Sequence, residues 1–425
     1  MARPTMRAGA FPSGFAIALI ALAAITRQPA IVVIAAGALV AWLVVEVTGR
    51  LALAAVEVTV SAEPDHLVAG EELDVRVVVT NRKPLPLPWL DLTLTLPEGM
   101  EPIAGGPPIL PEGPPILPEG PPNLPEGPRR QTVGAGFAPR GHERATLVFR
   151  LRARERGAHA LGPLRLRAGD WLGFTSDERA VPLDVSVIAY PAPLSVRDRH
   201  VASLRPLAET AARRGLIPDP LRFRGVREHR RGDPRKEIHW KASARLGSLQ
   251  TKVYEPAASL DAIFLVNVAS YEQYWVQADP EAVELVISAT AELIRMAADA
   301  GRQVGLVTNG LDNVTHERPR SALGRGPRPL RRSLEILARL GPYAAASPEA
   351  VFLRERGRLP SGATLIVVTP LVARGLADAA VALRHAHHRV LVLSVAPVGQ
   401  ALAARLRAQN VGCDALMAVQ AARPA

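Results

Sequence analysis

R-F-R-G-V-R-E-H-R-R-G-D-P-R-K-E-I-H-W-K-A-S-A-R-L-G-S-L-Q-T-K-V-Y-E-P, residues 222–256, decides how the rest of the chain is read. Cations, one tryptophan and a Gly-Asp-Pro turn follow one another without an amphipathic period. Gly232-Asp233-Pro234 predicts a tight turn, since aspartate can cap its own backbone and proline fixes φ. I-H-W-K-A-S-A-R predicts a short helix or ordered coil with Ile238 and Trp240 turned inward. T-K-V-Y-E-P predicts a lead into the first strand of the next domain. In a structural reading, Arg227, Arg235 and Arg245 are buried guanidinium groups that hydrogen-bond carbonyls and Asp233. Asp233, Trp240 and Arg245 then hold the join between the β and α/β domains, with Gly232 in the turn beside them. Arg230, Arg231 and Lys236 crowd the same turn with few acids nearby. They suit docking of an acidic partner, or plain solvation.

Beyond this stretch the pattern is that of an α/β domain. L-D-A-I-F-L-V-N-V, from Leu260, is almost continuously apolar, as a strand covered on both faces requires. A helix is predicted over Pro280–Ala300. The strands Q-V-G-L-V-T, A-T-L-I-V-V-T and R-V-L-V-L-S-V then alternate with helices near 329–340, 347–357, 371–386 and 399–408. This order predicts a doubly wound sheet, whose ligands gather at the carboxyl ends of its strands.

The 222–256 stretch resembles the signature of domain-of-unknown-function family 58. The match rests on Arg227, Gly232, Asp233, Arg235, Ile238, Trp240, Ala244, Arg245 and Lys252. R-E-R-G (154–157), L-G-P-L (161–164) and G-D-W-L-G-F (169–174) resemble a second motif of that family, read as architecture with Trp171 and Phe174 capping a core. The resemblance implies two membrane helices, a β domain and a von Willebrand factor A-like domain. It also implies a protein partner, a MoxR-type AAA+ ATPase, because genes for the two commonly adjoin. The family's relatives of the von Willebrand A type place a metal motif, Asp-x-Ser-x-Ser, after the first strand. Here Asn267, Ala269 and Tyr271 stand at those positions, and Thr369-Pro370 follows the later strand. None is a carboxylate, which a hard divalent cation usually needs. No metal and no cofactor are expected.

Ahead of the signature, period-two runs begin at Val56. V-E-V-T-V-S, L-D-V-R-V-V-V-T, W-L-D-L-T-L-T-L and A-T-L-V-F-R-L-R-A predict an antiparallel sandwich. The tandem G-P-P-I-L-P-E copies from Gly106 to Glu126 cannot supply ladder N–H groups and predict an extended insert. Further back, Phe11–Thr26 and Ala30–Val47 are apolar runs near the lower length limit for a membrane span. Read as a helical hairpin flanked by Arg3, Arg7 and Arg50, they predict a multi-pass plasma-membrane protein with its soluble domains cytoplasmic. The expected boundaries are 1–50 for the tail and hairpin and 51–190 for the sandwich, with its insert near 104–130. Residues 191–256 form the linker and signature, and 257–425 the α/β domain.

The net charge of +11 invites nucleic acid or anionic lipid. Most cations are arginine in an Ala-, Gly- and Pro-rich chain, which fits a GC-rich genome, and aromatic platforms for bases are scarce. No phosphate-binding G-x-x-x-x-G-K-[ST] loop and no G-x-S-x-G elbow occur. Cys413 reads as a small core residue, and His385, His387 and His388 as a solvated helix end. The sequence therefore predicts a membrane-anchored, non-enzymatic scaffold that docks a protein partner. The rivals are an enzyme with an unrecognised site near Asp233 and His239, and an electrostatic binder of nucleic acid or lipid.

Overall fold

The computed structural model describes residues 29–103, 131–171, 176–193, 218–230, 235–256, 261–360 and 363–416. The proline-rich insert, residues 104–130, lies outside them, as do the apolar run Phe11–Thr26, Gly173 and Phe174. The chain divides into two compact units, Met1–Tyr190 and Pro191–Ala425.

The first unit opens with helix α1 (Pro29–Arg50). Eleven strands follow: β1 (Val56–Glu63), β2 (His66–Val68), β3 (Glu72–Asn81), β4 (Leu90–Thr95), β5 (Met100–Pro102), β6 (Thr132–Phe137), β7 (Arg144–Ala153), β8 (Gly157–Ala160), β9 (Leu164–Gly169), β10 (Ser176–Val181) and β11 (Ser186–Tyr190). They form sheets ordered β1-β3-β7-β5, β10-β9-β4-β6 and β2-β11-β8. Alternation explains the packing. Val75, Val77 and Val79 from β3 and Phe149 and Leu151 from β7 point one way, while Leu90, Leu92, Leu94, Leu164 and Leu166 answer from the second sheet. All belong to one buried core. Their neighbours Arg76, Arg150 and Arg152 stay outside and pair with Glu63, Asp74 and Glu72. Asn81 is buried at the end of β3, and its Nδ2 donates to the carbonyls of Leu85 and Arg140, fastening two loops. Trp171, expected to cap this core, is 60% exposed instead. It follows β9 at a turn, where no strand among the described residues covers it.

Among the described residues, no helix is long and apolar enough to cross a membrane. This overturns the expected multi-pass plasma-membrane placement with cytoplasmic soluble domains. The physical reason is that the end of α1 is committed to the β unit. Val45 and Gly49 are buried, α1 touches β9 and β10, and Glu46 pairs with Arg50 at 2.5 Å. Within the described residues, the part of α1 ahead of Val45 falls short of the roughly 17 residues that a span needs.

The second unit begins with a hairpin of β12 (Pro218–Glu228) and β13 (Gln250–Pro256), enclosing the short helix α2 (Trp240–Leu246). Its sheet comprises β14 (Asp261–Val266), β15 (Gln303–Thr308), β17 (Arg320–Gly324), β19 (Thr364–Thr369), β20 (Arg389–Ser394) and β21 (Gly412–Ala415), in the order β17-β15-β14-β19-β20-β21. All neighbours are parallel except β17, which runs antiparallel to β15. A side ribbon pairs β16 (Gly310–Asp312) with β18 (Leu340–Ala344). Helices α3 (Pro280–Asp299), α4 (Pro327–Arg339), α5 (Pro348–Glu355), α6 (Arg374–His385) and α7 (Gln400–Ala408) connect the strands. Local chemistry starts them. Asp279 Oδ1 accepts the N–H groups of Glu281 and Ala282 at 3.1 Å, with Pro280 at the first helical position. Ser347 and Pro348 repeat the arrangement at α5. Strands β14 and β19 are covered on both faces, so they read as apolar runs without alternation.

His388 departs from the solvated-end expectation. It is 3% exposed, and its Nδ1 has no hydrogen-bond partner among the described residues. Burial, assisted by neighbouring His387, holds its pKa below the ordinary value of 6.5. The neutral ring is thus the folded form. As pH falls below 6.5, the unfolded chain takes up a proton that the folded chain refuses, and stability falls until the folded pKa is passed. Urea unfolding of the protein between about pH 8 and about pH 5 should show this loss. His388→Gln should flatten it, and an unchanged slope in that variant would remove His388 as the cause.

Candidate functional site

Two regions carry the sequence-derived candidates: the hairpin of the signature and the carboxyl edge of the sheet. In the hairpin, Ile238 is buried and bridges to Thr251. His239 precedes α2 and caps it, its Nδ1 accepting the Ala242 N–H at 3.0 Å. Gly247 closes the helix with φ of 69°, its N–H donating to the Ser243 carbonyl. Ser243 Oγ donates to the His239 carbonyl and accepts the Gln250 N–H, so the helix is tied to β13. His229 Nδ1 meets Thr251 Oγ1 at 2.9 Å. These bonds explain why small polar residues interrupt the cations.

Several assigned roles need correction. Trp240 does not point inward; it is 68% exposed at the first position of a helix that buries none of its residues. Seven residues are too few to cover an indole. Arg227, Arg235 and Arg245 are exposed rather than buried, and Arg227 Nη1 donates to the adjacent Glu228 carbonyl. Arg230 is exposed and engaged by interactions of its own. Arg231, Gly232 and Asp233 lie outside the described residues, as does the side chain of Lys236 in the turn Arg235–Glu237. Around α2, Val226, Leu246 and Leu249 are also exposed.

At the carboxyl edge, the structure gathers residues far apart in sequence. Strands β15 and β19 leave β14 in opposite directions, so the sheet's topological switch point lies where Asn267 and Thr369 emerge. Asn267 is 2% exposed. Its Nδ2 donates to Thr369 Oγ1 at 2.8 Å and to the Ala269 carbonyl at 3.3 Å. Its Oδ1 accepts the Ala269 N–H at 2.9 Å and Asn309 Nδ2 at 2.8 Å. Asn309 in turn accepts the Val268 N–H and donates to the Ala346 carbonyl. Thr369 Oγ1 donates to the Leu371 carbonyl at 2.6 Å. Two amides and a hydroxyl thus cross-link three strand ends with every donor used. Ala269 is buried, whereas Tyr271 stands 45% exposed in the loop that follows. In that loop Trp275 is 69% exposed and packs edge-on against Tyr274 at 4.9 Å. Nearby, Asp312 accepts the N–H groups of Val314 and Thr315 and faces Arg339 Nε at 3.3 Å. Among the described residues, no group of three His, Cys, Asp or Glu side chains is placed to hold a metal. Cys413 is buried, and burial raises its thiol pKa. Asn309 was missed from the sequence, and no motif marks it.

Residues 225–405 match the family described as protein of unknown function DUF58. This part of the chain belongs to DUF58. The matched segment runs from within β12 into α7, so it includes α2, β13 and the carboxyl edge of the sheet. The chain is also 25% identical over 314 residues to the uncharacterized protein YeaD of Bacillus subtilis (strain 168), covering 72% of this chain and 67% of that protein. Two solved structures show weak likeness. The sporulation control protein Spo0M of Bacillus subtilis is 15% identical over 36% of this chain and 56% of its own, with a TM-score of 0.17. A β-glucosidase of Listeria innocua in complex with isofagomine is 17% identical over 30% of this chain and 16% of its own, with a TM-score of 0.15.

Proposed function

We propose that this DUF58 chain is a non-enzymatic adaptor that docks a protein partner, with its C-terminal unit acting as a von Willebrand A-like binding domain. The observation that carries the reading is the exposure of Trp240 within the signature, beside exposed Leu246 and Leu249. A large indole left in water at a residue-specific motif is costly unless something covers it, and tryptophan is among the residues that dominate interface energies. Arg230, exposed on the same hairpin, would add charge that sets association rate and salt dependence, and the sequence puts Arg231 and Lys236 in the same charged stretch. The partner class follows from the family resemblance: a MoxR-type AAA+ ATPase, in assembly or remodelling linked to the cell envelope. The amide cluster at the switch point supports a binding role, because it stiffens the loop that presents Tyr271 and Trp275.

The test is Trp240→Ala in the full chain, read by a melting curve and by capture of the purified co-encoded ATPase. An exposed side chain predicts a stability change within about 0.5 kcal/mol, together with loss of capture. A variant that melts like a core truncation, or that captures the ATPase undiminished, would defeat the proposal.

A further inference from the structure

On the face of the sheet that carries α5 and α6, beside the edge strand β17, lies a groove made of two adjoining cavities of about 430 Å³ and about 200 Å³. They share Val307, Arg320, Glu355 and Arg358. The floor is apolar, formed by Ile263, Val307 and Leu323, and the Gly305 backbone extends it. The rim is basic. Arg318, Arg320, Arg354 and Arg358 line it against a single lining carboxylate, Glu355. Glu355 is already shared between Arg320, at 3.4 Å, and Arg358, at 3.0 Å. Arg318 and Arg354 are exposed and, among the described residues, have no ion pair.

We propose that this groove receives an extended, acidic segment of a partner protein, in which apolar side chains alternate with carboxylates. Three features select that occupant. The rim carries four guanidinium groups and one carboxylate, so it is short of negative charge. Guanidinium forks match carboxylates in bidentate geometry. The floor can take apolar side chains, which a bare anion would not use. The segment is extended because an extended chain turns alternate side chains to opposite sides, so one row can lie on the floor while the other meets the rim. Carboxylates would meet Arg318 and Arg354 while the apolar side chains cover Val307 and Leu323. The proposal does not rest on the Trp240 surface, which lies on a different part of the unit.

The experiment measures fluorescence anisotropy of a short labelled peptide alternating Leu and Glu, titrated with the full chain. Binding should weaken as salt rises. The double variant Arg318→Glu and Arg354→Glu leaves the Glu355 pairs in place and should keep its melting temperature, yet bind about tenfold or more weakly. A Leu-Gln peptide should fail for want of charge, and a Glu-only peptide should bind much less tightly for want of apolar contact. Equal binding by the double variant would overturn the proposal. So would equal binding of the Leu-Gln peptide. Equal binding of the Glu-only peptide would reduce the groove to a general anion surface and overturn the proposed occupant.

Discussion

Asn267→Ala is expected to lower the unfolding free energy of the C-terminal unit by about 2–4 kcal/mol, from the desolvation cost of buried polar groups left without partners. The substitution removes four hydrogen bonds at a position only 2% exposed. The Ala269 N–H loses its acceptor, and Asn309 Nδ2 keeps the Ala346 carbonyl alone. Asn267→Asp makes a sharper companion. A carboxylate still accepts from Ala269 and Asn309, but it cannot donate to Thr369, and it brings an unpaired charge into a buried place. Its folded pKa should rise above the ordinary value for aspartate. The variant should therefore be least stable at neutral pH and regain stability as pH falls through that raised pKa. Urea melts of both variants decide the matter. If Asn267→Ala unfolds at the wild-type midpoint, the cluster is ornamental.

Phe149→Ala should cost about 3–5 kcal/mol, the usual range for emptying a phenylalanine site in a packed core. Phe149 is 2% exposed on β7, opposite Val75 of β3, in the core shared by the two four-stranded sheets. Val148 is one residue away and 38% exposed on the opposite face. Val148→Thr should change stability by no more than about 0.5 kcal/mol. The contrast between adjacent residues tests the register directly, because a slip of one position would exchange the two results. Thermal unfolding followed by near-ultraviolet circular dichroism would read both. Comparable losses in the two variants would disprove the assigned faces.

The parts of the chain that could be read from sequence are those where one physical rule acts alone. V-E-V-T-V-S and A-T-L-V-F-R-L-R-A alternate because one face is wet, and they are β1 and part of β7. Pro280 and Pro348 each follow a capping residue, and helices begin there. The segment from Pro218 to Glu228 gave no such signal. Its cations sit on a two-stranded ribbon that has little core to face, so β12 reads from sequence only as part of the linker and signature segment. Trp240 misled for a related reason. Indoles are buried on average, but α2 is too short to have an inner face of its own. Position 267 was visible in the sequence because a motif comparison points to it. Its partner Asn309 lies 42 residues on and is found only after β15 is laid beside β14.

The chemistry of the Asn267–Asn309–Thr369 cluster bears on control. Amides and a threonine hydroxyl do not ionise over physiological pH, carry no net charge, and hold neighbouring backbone through bonds complete in themselves. A sheet edge built around ionised groups would be gated by pH or by the supply of a counter-ion. This one is set at the moment of folding and has no chemical dial. Whatever meets the Tyr271–Trp275 loop would therefore find these anchoring bonds unchanged across physiological pH.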